Sequence, residues 1–424
     1  MRSAPQEDAP VVSGSWDVRT AFGPAMPSAT FQPPSAAEAL PLSAYACTLS
    51  PDPLTALPGR WGHAACCPMG GGPATLVGGF GAQPGQAAGH ARLSDAVVVA
   101  PCTPGGGAGG ATRHAQTPAG IVGGRMYAAC AALPSGRVLL FGGRGSPAPG
   151  GGHADLLEVI VDERVEEAKG EGEGEGEGGN GVQYRAVEVS MAEGSGPTKR
   201  WRHAMAALGE GAVMLFGGWD GARPLGDAWM LEALEREGRE GREGGWAWRP
   251  VCFSGDAPGA RFGHTLTAVD ANTAVLYGGY DGAGVMHADA HVLRRKERGE
   301  GEEGEEWVAT RVAVEAAGRP IGRYAHAAFA FDGGLFVVGG VTWEGEAQEI
   351  LHLDWATGRW ARVSLDQGEG GGRVEGRCWV RTSAVVCERG DREATVAWVG
   401  GGLLAFSFGS VFSPLVSRLL LRRM

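Results

Sequence analysis

Arginine and histidine recur along this chain at matched places, and both residue types can do chemistry. Guanidinium groups grip carboxylates and phosphates, and imidazoles carry protons or bind metals. The motif Arg-aromatic-x-His runs from Arg60 to His63, Arg200 to His203, Arg261 to His264 and Arg323 to His326. Arg125 and Arg377 mark two further places, where Ala128 and Val380 stand at the histidine position. An active site does not repeat in this way, whereas residues that hold a repeated element together do. The regular arginines and histidines are therefore expected to be structural. His287 and His291 form an H-x-x-x-H spacing that binds zinc on a helix. On a strand they lie about 13 Å apart, at roughly 3.3 Å per residue, too far for one metal. No nucleophile stands beside a base, and none of the eight cysteines forms a Cys-x-x-Cys pair. The expectation is a protein that is not an enzyme, with no cofactor and no metal.

The elements that must carry these residues are announced by glycine doublets, each closing a short apolar run. They fall at Gly78-Gly79, Gly142-Gly143, Gly217-Gly218, Gly278-Gly279, Gly339-Gly340 and Gly400-Gly401. Runs of about four aliphatic and β-branched residues read as buried strands, being too short for helices of ten or more. An aspartate and a second apolar run follow several doublets: Asp95 with Val97–Val99, Asp227 with Trp229–Leu231, Asp289 with His291–Leu293. Tryptophans (Trp246 and Trp248, Trp307, Trp360) close several units. Four strands per unit and six units predict an all-β fold, a β-propeller of six blades of four antiparallel strands. The sixth unit shows two strands only, so residues 12–50, with Trp16 and the Leu40–Leu49 segment, are expected to complete the last blade. Residues 1–11 are expected to be disordered, 12–402 to form the propeller, and 403–424 to be a diverged last-blade remnant or tail. The uncharged stretch Val399–Ser417 holds four glycines, four serines and a proline, which argues against a membrane span.

Net charge is −11, and three segments carry all of it: 162–193 at −7, 232–243 at −2 and 294–306 at −2. The remainder is neutral, so direct binding to a phosphate backbone is not expected. Low-complexity stretches at 170–178, 235–245 and 294–306 read as solvated loops between third and fourth strands. No apolar leader begins the chain, and the reading is cytoplasmic, with the nucleus as the alternative.

With Arg-x-x-His, Gly-Gly and the late tryptophan assembled, residues 58–402 resemble the kelch superfamily, whose propellers relate to that of galactose oxidase. A narrower likeness rests on Gly78-Gly-Phe-Gly81, His90-Ala-Arg92, Asp95, Gly124-Arg-Met-Tyr127, Gly142-Gly-Arg144 with Ser146-Pro147, Arg200-Trp-Arg-His203, Arg323-Tyr-Ala-His326 and Gly339-Gly-Val341. These are similar to the kelch domain of leucine carboxyl methyltransferase-like tRNA wybutosine-synthesizing proteins. In that family the chemistry belongs to an attached methyltransferase domain, which is not expected within these 424 residues. The resemblance implies an interaction scaffold with an unidentified protein partner, or an accessory module beside tRNA-modification enzymes. Irregular positions in loops beside the repeated motifs are the better candidates for contact: Arg144, Arg202, Trp219, Arg223, Tyr280 and Trp343.

Overall fold

A computed structural model describes residues 41–51, 59–82, 90–99, 112–115, 123–146, 151–162, 183–188, 196–234, 245–296, 307–314, 320–366, 379–405, 409–412 and 416–424. These residues form an all-β structure with no helix, and so none long and apolar enough to cross a membrane.

The strands follow the glycine doublets. In the first unit Ala64–Cys66, Ala74–Val77, Ala96–Val99 and Thr112–Ala115 pair in that order. The second joins Ala129–Ala132, Val138–Phe141, Leu156–Asp162 and Gln183–Glu188; the third joins Ala204–Ala207, Ala212–Trp219, Pro224–Ala233 and Trp246–Val251. Thr265–Asp270, Thr273–Tyr277, Ala290–Arg295 and Trp307–Arg311 make the fourth, with Phe253–Gly255 added parallel along Trp307–Arg311. The expected loop from Arg294 therefore begins two residues late, because Arg294 and Arg295 still pair, with Val308 and Trp307. Ala327–Phe331, Gly334–Val338, Ile350–Asp354 and Arg359–Asp366 form the fifth, and Ser383–Arg389 with Glu393–Val399 begin the sixth.

Both ends of the chain finish the sixth sheet. Val416–Arg423 pairs along Glu393–Val399, and Leu42–Pro51 pairs antiparallel along Val416–Arg423. Leu42–Pro51 also runs parallel to Arg359–Asp366, which fuses the fifth and sixth units into one eight-stranded sheet. Trp16 and the rest of 12–40 lie outside the described residues.

Packing shows how the sheets are arranged. The apolar core divides into clusters, and six of them each join two neighbouring units, in cyclic order. Leu139 and Phe141 pack with Val213 and Leu215 of the third unit, while Val138 and Leu140 face Val77 and Val98 of the first. The cycle closes where Leu76 and Val97 meet Ala397 and Val399 of the sixth. Strand residues alternate between faces, so a sheet sandwiched on both sides needs apolar residues at every position. That requirement wrote the unbroken runs before the doublets. The six first strands neighbour one another in the same closed order. Alanines (Ala64, Ala129, Ala204, Ala327, Ala384) let these six backbones converge around a cavity of about 320 Å³.

Candidate functional site

The repeated arginines are consumed by structure. Each guanidinium bonds within its own unit, to the carbonyl of the first glycine and to an acid just before the third strand or, for Asp227, within its first half. Arg60 holds Asp95 at 2.7 and 2.8 Å, Arg125 holds Asp155 at 2.9 and 2.8 Å, and Arg200 holds Asp227 at 2.7 and 2.8 Å. Arg261 bonds Asp289 at 2.7 and 3.2 Å, and Arg323 bonds Glu349 at 2.8 Å. Burial alone would raise the Asp289 carboxyl, yet bonds from His291 and Arg261 hold it well below its ordinary value. Asp289 also stands between His287 and His291, 3.8 and 3.0 Å away.

The arginine backbones join neighbouring units. The N–H groups of Gly79, Gly143, Gly218 and Gly279 donate to the carbonyls of Arg125, Arg200, Arg261 and Arg323 at 2.8–2.9 Å. Gly340 donates to Trp379, and Gly401 returns to Arg60 at 3.1 Å. In the sixth unit, then, Trp379 takes the arginine's place and Thr382 the histidine's. The sequence reading put Arg377 and Val380 there; the backbone bonding moves the register by two, and Arg377 lies outside the described residues.

The histidines lie at the same joints. His203, His264 and His326 pack edge-on against Phe141, Phe216 and Tyr277 of the preceding unit, with ring centroids 5.6, 5.4 and 5.2 Å apart. A first glycine faces each of them. At Gly217, φ is +63°, and an added Cβ would stand 2.7 Å from the Arg261 carbonyl and 2.9 Å from His264 Cε1. Gly217→Ala is expected to cost about 2–3 kcal/mol, measured by urea unfolding. Gly70→Ala, with open space around it, should change stability by less than about 0.5 kcal/mol.

One residue before each histidine position, the chain turns at one end of the cavity. Gly62, Tyr127, Arg202, Gly263, Ala325 and Arg381 all have φ between +55° and +66°. The last five each donate their N–H to the carbonyl of the one before: Tyr127 to Gly62 at 2.6 Å, then Arg202, Gly263, Ala325 and Arg381 in turn at 2.8–2.9 Å. This ring of left-handed turns forms a mouth, and the cavity begins at the residues just beyond it. A second circle surrounds it, because the residue after each arginine bridges the residue after a doublet: Trp61 to Phe80, Met126 to Arg144, Trp201 to Trp219, Phe262 to Tyr280, Tyr324 to Val341.

The side chains of the mouth are cationic and aromatic. Arg202 Cζ lies 4.3 Å from the Tyr127 ring centre, and its Nη2 donates to the Tyr127 hydroxyl at 3.1 Å. Arg381 Cζ lies 4.8 Å from the Trp61 ring and 5.9 Å from Tyr127. Arg144 stacks over Trp201 at 5.1 Å. Burial alone would raise the Tyr127 phenol, but the charges of Arg381, Arg202 and Arg144 hold it below its ordinary value. Beside this, Trp219, Phe262, Tyr280, Tyr324 and Trp343 share one aromatic cluster. Five of the six irregular candidates thus meet on one end of the ring: Arg144, Arg202, Trp219, Tyr280 and Trp343. Arg223 does not join them; it is 79% exposed on a turn, 3.8 Å from Asp220. Tyr127 and Arg381 were missed in the sequence. Their only signal is that glycine and alanine hold the same place in other units.

No family model matches the chain. It is 29% identical over 232 residues to the serine/threonine-protein phosphatase BSL2 of Arabidopsis thaliana, covering 50% of this chain and 21% of that protein. To tRNA wybutosine-synthesizing protein 4 of Aspergillus fumigatus it is 24% identical over 234 residues, covering 51% and 21%. To the dynein alpha chain of the flagellar outer arm of Chlamydomonas reinhardtii it is 27% identical over 149 residues, covering 35% and 3%. The match spans about a fifth or less of each relative's length.

Proposed function

We propose that this chain is a six-bladed β-propeller of the kelch kind, acting as a scaffold that grips a protein partner on its mouth face and performs no catalysis itself. The observation that carries this reading is the division of labour among its polar residues. Repeated arginines and histidines are used up in holding the ring, while the irregular arginines and large aromatics gather at one end. Trp, Tyr and Arg are the residue types that dominate binding hot spots. The relatives support it from another side, since partial likeness to proteins with such different names fits an interaction module better than a common reaction. The partner is a protein in the cytoplasm or nucleus; neither a membrane nor a bare nucleic acid suits the neutral body.

Affinity capture from an extract of the source cells tests this, with wild type, Trp343→Ala and Trp219→Ala compared quantitatively. Partners of the mouth face should fall by about tenfold or more in both variants and be retained by Arg249→Ala, on the outer strand Trp246–Val251. Equal capture by all four proteins would refute the assignment of the mouth.

A second reading is an accessory module of tRNA wybutosine synthesis, favoured by the named relative and by the motifs from Gly78 to Val341. Cells lacking the gene should then lose wybutosine from phenylalanine tRNA, as read by mass spectrometry of the nucleosides. Normal wybutosine would sink it.

A further inference from the structure

We propose that the mouth is a binding site for a phosphomonoester group, held by Arg202, Arg381 and the Tyr127 hydroxyl; the proposal rests on the mouth being the partner-binding face. Three observations lead to it.

The first is charge without a counter-charge. Arg202 and Arg381 form no ion pair among the described residues, unlike the repeated arginines. The charges acting on Tyr127 are those of Arg381, Arg202 and Arg144, and on Arg144 those of Arg202 and Arg92 lead. Like charges this close repel, and a dianion placed among them would remove the repulsion.

The second is unsatisfied donors. Arg202 Nε and Arg381 Nη1 are sealed from solvent and have no hydrogen-bond acceptor. An unpaired charged donor out of water is costly, and an anion that accepts from both would remove that cost. Both guanidinium planes lie against aromatic rings, which fixes them while leaving the N–H edges able to form forked bonds.

The third is the state of Tyr127. Its oxygen already accepts a bond from Arg202 Nη2, so its own O–H is left to donate. Two guanidinium forks and a phenol O–H are donors only. They match a group with three acceptor oxygens and nearly two charges better than a carboxylate with two oxygens and one charge.

Calorimetric titration of the full chain with inorganic phosphate, at neutral pH and low ionic strength, tests the site. Phosphate should bind about tenfold or more tighter than acetate, and Arg381→Gln should weaken it by about tenfold or more. Arg223→Gln, on its exposed turn, should leave binding unchanged. Phosphoserine and adenosine 5′-monophosphate arms distinguish a protein-borne phosphate from a nucleotide, by which of the two binds more tightly than phosphate alone. A reading in the unaltered protein guards against misfolded variants. Phosphate should shift the lowest-titrating tyrosine, followed by its absorbance, to higher pH as the arginine charges are neutralised. Equal affinity for acetate, binding indifferent to Arg381→Gln, or an unmoved phenol would each overturn the proposal. None of these failures touches the scaffold reading, whose capture experiment uses Trp219 and Trp343.

Discussion

Acidification from pH 7 to pH 5 will destabilise this protein by several kcal/mol, with about four or more protons taken up on unfolding at the lower pH. The cause is the set of histidines sealed between units. Burial, followed by the charges of Arg60, Arg200 and Arg323 respectively, pushes His63, His203 and His326 down to about 3. The same forces, with the further charges of His326 and His203, hold His264 well below its ordinary value. In the unfolded chain each returns to about 6.5. The unfolded state therefore binds more protons than the folded state between those limits, and stability falls as pH drops through that window. Each histidine contributes about 1 kcal/mol per pH unit. The depressed carboxyls of Asp155, Asp227 and Asp289 have the same sign but act mainly below about pH 5, where unfolded carboxylates begin to protonate. Urea unfolding across this range measures the slope. His203→Ala borrows the solution already used at Ala128, and should reduce the proton uptake by about one. An uptake near zero at pH 5 would contradict the placement of the four histidines.

Arg60→Met is expected to cost about 3–5 kcal/mol, a large part of the stability of an ordinary domain. Arg60 and Asp95 are the most deeply buried of the repeated pairs, with side chains 3% and 5% exposed. Removing the cation leaves that carboxylate charged in a place that water does not reach. Arg323→Met should cost less, because Glu349 is 25% exposed and Arg362 lies 3.5 Å from it. Denaturant midpoints of the two variants check the order. A larger loss for Arg323→Met would show that burial does not set the cost.

How much of this could be read beforehand depends on which contacts write themselves into sequence. The second strands were legible because both faces are covered, which forces runs such as Val138–Phe141 and Val213–Phe216. The arginines were legible as structural by their recurrence, but their acids lie some 26 to 35 residues on, and only pairs such as Asp95 and Asp227 were noticed as markers. Register in the sixth unit was not legible. Backbone carbonyls carry the joint there, and Trp379 supplies one as well as an arginine does. The strand Val416–Arg423 was hidden among glycines, serines and uncharged residues that resemble a tail, and it makes sense only with Leu42–Pro51 on its edge. At the mouth, Arg202 was singled out only as an arginine in a loop beside a repeated motif. Tyr127 and Arg381 stand where glycine and alanine stand in other units, but a left-handed turn leaves no pattern by which side chains at that place can be predicted. Arg223 looked alike in sequence, yet its turn is tied to Asp220, whose carboxylate accepts the Ala222 and Arg223 N–H groups at 2.7 and 2.8 Å.

The mouth exists only if the six units close, and closure depends on strands from the two ends of the chain. Cys47 and Leu421 stand directly opposite each other across that seam, and both are buried. Opposed residues of antiparallel strands have Cα atoms about 4.5–5.5 Å apart, within reach of a disulfide. Mild oxidation of a Leu421→Cys variant, followed by peptide mapping, tests the closure most directly. The account predicts a disulfide joining position 47 to position 421, formed in native protein and not in urea. Two thiols still free after oxidation, or position 421 linked elsewhere, would contradict it.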